Sequence, residues 1–280
     1  MKSWGRILFV LMIVVTVAEL TYAQQRRRGG RLPPSTERYG IPTWDLHPTM
    51  PKDVFTFARV RYTSFERNWR WGGAWYVDYR DADLNFSYRL NEMTSLKTDP
   101  EGTVIDLADP ALFDLPFIYL IEPGAMVFSE EEVAALRTYL LSGGFLMVDD
   151  FWGDYEWENF EREIKRVLPA HAIEDLPPDH AIFNLVFKLP PSPQIPNIRQ
   201  GMESQFNGVT WEPDKEPGAR TPHYRAIFDD LGRPMVIICH NTDLGDGWER
   251  EGENEYYFRE FSEKIAYPLG INILLYALTH

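Results

Sequence analysis

From residue 53 onward the chain alternates short apolar runs with amphipathic stretches. DVFTFARVRYTS, at 53–64, sets Phe55, Phe57, Arg59 and Arg61 against Val54, Thr56, Ala58 and Val60. That period of two predicts a strand with one apolar face. Asp81 or Asp83 is placed to cap a helix running through Leu96, with Leu84, Tyr88, Leu90 and Met93 loosely periodic. Phe117 to Ile121 is a continuous apolar run closed by Glu122, Pro123 and Gly124, the pattern of a strand covered on both faces. Ser129 and Glu132 form an S-x-x-E capping box, and Val133, Leu136, Tyr139 and Leu140 give a helical face that stops at Gly143 and Gly144. A second apolar strand, Phe145 to Val148, runs into Asp149, Asp150, Phe151, Trp152 and Gly153. Trp157, Phe160, Ile164 and Val167 then predict a helix from about Tyr155 to Val167, ending before Pro169.

Strand and helix in alternation with short connections predict crossover units and a parallel sheet. The proline-dense stretch 176–222 breaks the rhythm and reads as an excursion with short strands covering one side of the sheet. Met235 to Cys239 returns to the sheet. It leads into CHNTDLGDGWEREGEN, at 239–254, an acidic stretch with three glycines that is longer than an ordinary connection. Tyr256 to Lys264 and Tyr267 to Leu278 read as closing helices. The expected organisation is one α/β domain over 53–280.

The N-terminus changes the picture of address. Lys2 and Arg6 precede an apolar stretch, Ile7 to Val17, too short to span a bilayer, and Thr21, Tyr22, Ala23 place small residues at the cleavage positions. Residues 1–23 therefore read as a signal peptide and 24–52 as a disordered or extended tail and linker, with export to the periplasm or the extracellular space and no membrane span after cleavage. A formal charge of −14 argues against nucleic acid as a partner, because phosphate binding needs a concentrated basic surface. The one basic run, Arg26 to Arg28 with Arg31, sits in that tail. Cys239 is the only cysteine, so no intramolecular disulfide can form and stability must come from the core.

DADLNFSYRL at 81–90, EPG at 122–124, GGFLMVDDFWG at 143–153, GVTWE at 208–212, HYRAIFDD at 223–230 and CHNTDLGDGWEREGEN resemble the bacterial family called domain of unknown function 4159. The resemblance covers roughly Asp53 to His280. It implies a flavodoxin-like fold similar to class I glutamine amidotransferases, a parallel sheet with helices on both faces, and it brings no activity.

Ligands of open parallel sheets bind beyond the carboxyl ends of the strands. That rule brings Glu122, Asp149, Asp150 and His240 to one rim as candidate acid, base or electrostatic residues should the protein be an enzyme. Trp152, Asn241, Asp243, Asp246, Trp248 and Glu249 are the candidate ligand-binding residues, their rings and carboxylates suited to a sugar. Trp71, Trp75 and Trp211 fall in predicted loops as well. The turn that holds the amidotransferase nucleophile corresponds to Asp150, Phe151, Trp152, which offers no nucleophile, and Cys239 should face away from His240. Glutamine amidotransfer is thereby excluded. The acid spacing fits neither a calcium loop nor a zinc helix, so no cofactor is called for, although the acids could hold a divalent cation. Two functions follow: a non-catalytic binding or scaffolding module for a small molecule, a glycan or an envelope protein, and a carboxylate- or metal-dependent hydrolase of an envelope glycan or peptide.

Overall fold

The computed structural model describes Arg38 and residues 40–46, 53–65 and 73–280. The segment read as a signal peptide, most of the tail and Trp71 lie outside the described residues. Among the described residues, nine strands and seven α-helical segments follow in order. They are β1 (Ala58–Arg61), β2 (Thr63–Ser64), α1 (Asp81–Met93), β3 (Thr103–Asp106), β4 (Phe117–Ile121), β5 (Met126–Val127), α2 (Glu130–Leu141), β6 (Phe145–Asp149) and α3 (Gly153–Val167). The second half adds β7 (Ile173–Asp175), α4 (Ile198–Asn207), β8 (His223–Phe228), β9 (Pro234–His240), α5 (Leu244–Glu249), α6 (Glu255–Tyr257) and α7 (Tyr267–Thr279). A π-helical segment, Phe258–Ala266, joins α6 to α7.

Seven strands form one sheet in the order β3-β1-β4-β6-β9-β8-β7. The run from β3 to β9 is parallel, while β8 pairs antiparallel with β9 and β7 antiparallel with β8. A small antiparallel ribbon pairs β2 with β5. Every residue of β4, β6 and β9 is buried, as expected for central strands covered on both sides. Alternation divides their side chains between two cores. Phe117, Tyr119, Phe145, Met147, Ile237 and Cys239 face α1, α5 and α7. Ile118, Leu120, Leu146, Val148, Val236 and Ile238 face α2 and α3.

Several expectations need correction. Helix α1 ends at Met93 because Thr94 turns to extended backbone, and Arg80, not an aspartate, occupies its N-cap. The strand begun at residue 53 is not half-exposed: Phe55, Phe57, Arg59, Ala58 and Val60 are all buried, since β1 lies between β3 and β4. The capping box of α2 is present in full, with Ser129 Oγ accepting from Glu132 N and Glu132 Oε2 accepting from Ser129 N. The proline-dense excursion contains no strand between 176 and 222 but does contain α4, which starts after Pro196 and ends at Gly208 in left-handed conformation. The acidic stretch after β9 is not an open loop, because Asp243 caps α5 there. Strands β3 and β7 carry too few apolar residues to stand out by periodicity, and β8 makes the sheet mixed.

Candidate functional site

Three neighbouring parallel strands end alike. Glu122 after β4, Asp150 after β6 and Asn241 after β9 all have left-handed backbone, with φ of 52°, 53° and 61°. Each costs about 1 kcal/mol or more for a side-chain-bearing residue, and short polar side chains bear it best. The sharp reversal brings Asp150 and Asn241 back over the carboxyl edge of the sheet. Asp78, φ 60°, makes a similar reversal in the loop before α1.

Asp149, the last residue of β6, points into the first core and is fully buried. Its Oδ2 accepts from Tyr119 Oη at 2.9 Å and from the backbone N–H groups of Leu244 at 3.0 Å and Gly245 at 3.1 Å. It therefore ties the first turn of α5 to the sheet. Burial pushes its pKa up to about 7, against the pull of those donors.

Asp78, Asp150 and Asp243 come together beyond this anchor. One carboxylate oxygen of each lies within 4.8 Å of the others, and Asp78 also meets Asp246 and Glu249 within the same distance. Asp150 Oδ1 accepts from Trp152 Nε1 at 3.1 Å, and Asp243 Oδ1 from Asp246 N at 2.7 Å. Asp246 is shared between Ile198 N at 2.6 Å and Arg250 Nε at 3.1 Å. Asp78 Oδ2 has no hydrogen-bond partner although the residue is only 8% exposed. Burial, then neighbouring acids, raises the carboxyl pKa of Asp78, Asp150 and Asp243 well above the usual range. For Asp150 the neighbours are Glu122, Asp78, Glu212 and Asp149; for Asp78 they are Asp246 and Glu249, with Arg59 and Arg250 acting in the opposite sense. Burial raises Glu249 to about 7, against an ion pair of 2.6 Å with Arg250.

Of the residues nominated from sequence, Asp150, Asp243, Asp246 and Glu249 converge. Glu122 stands on the same edge, its carbonyl and that of Ile121 accepting from Tyr62 Oη. His240 does not join them. Its Nε2 lies 3.1 Å from Gly153 O, its Nδ1 3.3 Å from Arg225 Nη1, and its ring packs among Phe151, Trp157 and His223. Cys239 faces the opposite core, as alternation requires, with burial raising its thiol pKa. Asn241 acts as a strut: Gly153 N donates to its Oδ1, and its Nδ2 donates to Gly218 O and Thr221 O. The expectation of exposed stacking rings fails. Trp248 fills the core against Phe57, Phe86 and Tyr119 and donates to Ala266 O, while Trp75 and Trp152 are each 2% exposed. Trp211 is half-buried beneath Arg220.

Asp78 was absent from the sequence-derived site. The available signal was indirect: Arg59 sits in an apolar strand and must be held by acceptors. It is, by Asp83 and by the carbonyls of Trp75 and Val77, which fixes the loop that delivers Asp78.

Residues 56–278 match the family model described as Domain of unknown function (DUF4159). No curated protein matches the chain.

Proposed function

The chain belongs to the family described as Domain of unknown function (DUF4159), and from that premise we propose that it is a non-catalytic binding module, exported to the cell envelope, whose acidic carboxyl edge engages a partner bearing cationic groups. The observation that carries this reading is Asp149. The carboxylate best placed for chemistry is sealed in the core and spends Oδ2 on three donors that hold α5 in place. The formal charge of −14 and outward acids such as Glu253 favour a cationic partner by steering and complementarity. Flat sugar faces are a poorer match, because Trp152 and Trp248 are buried. The finer kinship of the fold belongs to the same reading. We take the parallel run β3-β1-β4-β6-β9, with helices over both faces, as a flavodoxin-like core of the class I glutamine amidotransferase kind that has lost its nucleophile.

The test is to incubate the purified protein with isolated cell-wall and membrane fractions and with envelope peptides and glycans, following both retention and product formation. Salt-sensitive retention without turnover supports the module. One observation favours the hydrolase instead: Asp149 and Glu249 are both pushed up to about 7, in range for a proton donor. Turnover that disappears in Asp149→Asn would replace the binding reading with that one.

A further inference from the structure

We infer that Asp78, Asp150 and Asp243 form a site for one hard divalent cation of calcium's size. Three carboxylates whose oxygens all lie within 4.8 Å of one another are buried together at the carboxyl edge of the sheet. Buried charge of one sign is costly unless an opposite charge is supplied. The nearest cations do not enter the triad. Arg59 is engaged by Asp83 and two backbone carbonyls, and Arg250 by Asp246, Glu249 and Glu253.

The independent sign of a ligand is Asp78. Its carboxylate is more than nine-tenths buried, reaches both acidic groups, and leaves Oδ2 without any donor. Asp150 and Asp243 do accept hydrogen bonds, but a carboxylate has two oxygens and a cation can share them. Gly245 completes the cradle. A Cβ at that position would lie 2.3 Å from Asp78 Oδ2, so the backbone of α5 closes directly against this oxygen.

Donor chemistry and burial select the metal. All the donors are oxygens, and the imidazole of His240, at the end of β9, is turned to Gly153 and Arg225. Calcium takes about six to eight oxygens in a flexible shell, whereas magnesium dehydrates reluctantly and keeps several waters. A buried cluster of protein carboxylates, with oxygens within 4.8 Å of one another, therefore suits calcium better than magnesium. Asp246 and Glu249 stand ready as further ligands around Asp78. Such an ion would bind the loop before α1, the end of β6 and the start of α5 into one unit.

Cation binding here requires no envelope partner, so it can succeed or fail independently of the proposed function. The experiment strips the full chain with EDTA, then follows calcium and magnesium by titration calorimetry and thermal unfolding. Expected are one equivalent of calcium, tighter than magnesium, and a midpoint that rises with calcium. Asp78→Asn should weaken calcium at least tenfold. Gly245→Ala, which keeps every charge but displaces Asp78, should also weaken it, while Asp175→Asn, on an outer strand, should not. Absence of calcium binding to the stripped, folded protein would overturn the inference. So would undiminished binding in folded Asp78→Asn, or a preference for magnesium.

Discussion

Arg59 and Asp83 meet as a buried ion pair, Nε at 2.9 Å and Nη2 at 2.5 Å from the same carboxylate oxygen, with side chains 0% and 3% exposed. The pair joins β1 to α1, and the remaining guanidinium nitrogen holds Trp75 O and Val77 O. Removing one partner strands a charge in the interior. Arg59→Met should therefore cost about 3–5 kcal/mol, and adding Asp83→Leu should restore part of it, because the uncompensated carboxylate goes too. A double-mutant cycle by urea denaturation reads both. Additive losses would show that the two side chains are not coupled.

Asn241 joins the end of β9 to the segment after β6 and to the excursion. Its N–H donates to Phe151 O, and its side chain serves Gly153 N, Gly218 O and Thr221 O, all from a fully buried position at φ 61°. Asn241→Ala should cost on the order of 3–5 kcal/mol, since buried groups are left without partners. Asn241→Gly loses the same bonds but accepts the left-handed backbone, so it should be milder by about 1 kcal/mol. Thermal unfolding of the two variants gives the order, and an Ala variant as stable as Gly would remove the strain argument.

Legibility in the sequence followed the range of the interactions. The central strands β4, β6 and β9 were readable because burial on both faces leaves uninterrupted apolar runs, and α2 because its cap is local. Helix α5 was hidden: six residues give too little periodicity, and Asp243, Asp246 and Glu249 look like a solvated loop until Trp248 is seen in the core. Strand β8 reads poorly because its alternation, His223 and Arg225 against Tyr224 and Ala226, lasts four residues before Ile227 breaks it, and only pairing with β9 defines it. The acidic site was half legible. Topology announced the acids that follow strands, whereas Asp78 is brought in by the grip of Arg59 on a loop that has no periodicity of its own.

Gly270, in α7, lies under the aromatic cluster that covers the first core. A Cβ there would stand 2.6 Å from Trp248 Cζ2 and 2.7 Å from Phe86 Cε2, and both rings are almost wholly buried. Alanine ordinarily stabilises a helix interior by about 1 kcal/mol over glycine. Here the clash should outweigh it, because neither ring has room to retreat, giving a net loss of about 1–2 kcal/mol. A shift of tryptophan fluorescence together with a lower midpoint would report the displaced Trp248; a stabilised Gly270→Ala would show that the cluster has slack.

His240 supplies a pH dependence whose sign follows from its surroundings. Arg225 Nη1 can only donate, so Nδ1 accepts and Nε2 carries the proton toward Gly153 O, which fixes the neutral ring. Burial lowers its pKa to about 3, with Arg225 and His223 adding to the effect and the Gly153 carbonyl opposing it. The unfolded chain takes up a proton near the ordinary histidine value of about 6.5 while the folded chain does not, so this residue's contribution to stability is lost as pH falls from about 6.5 toward 3. At pH 4.5 the loss amounts to about 2–3 kcal/mol, from two units of unequal protonation. The buried carboxylates have the opposite sign: their raised pKa values favour the folded state as pH falls. The histidine is therefore isolated by difference. His240→Gln should be less stable than the native protein at pH 7, and the gap between them should narrow by about 2 kcal/mol at pH 4.5 in urea denaturation. A gap that stays constant across that range would mean that the ring is protonated in the folded protein.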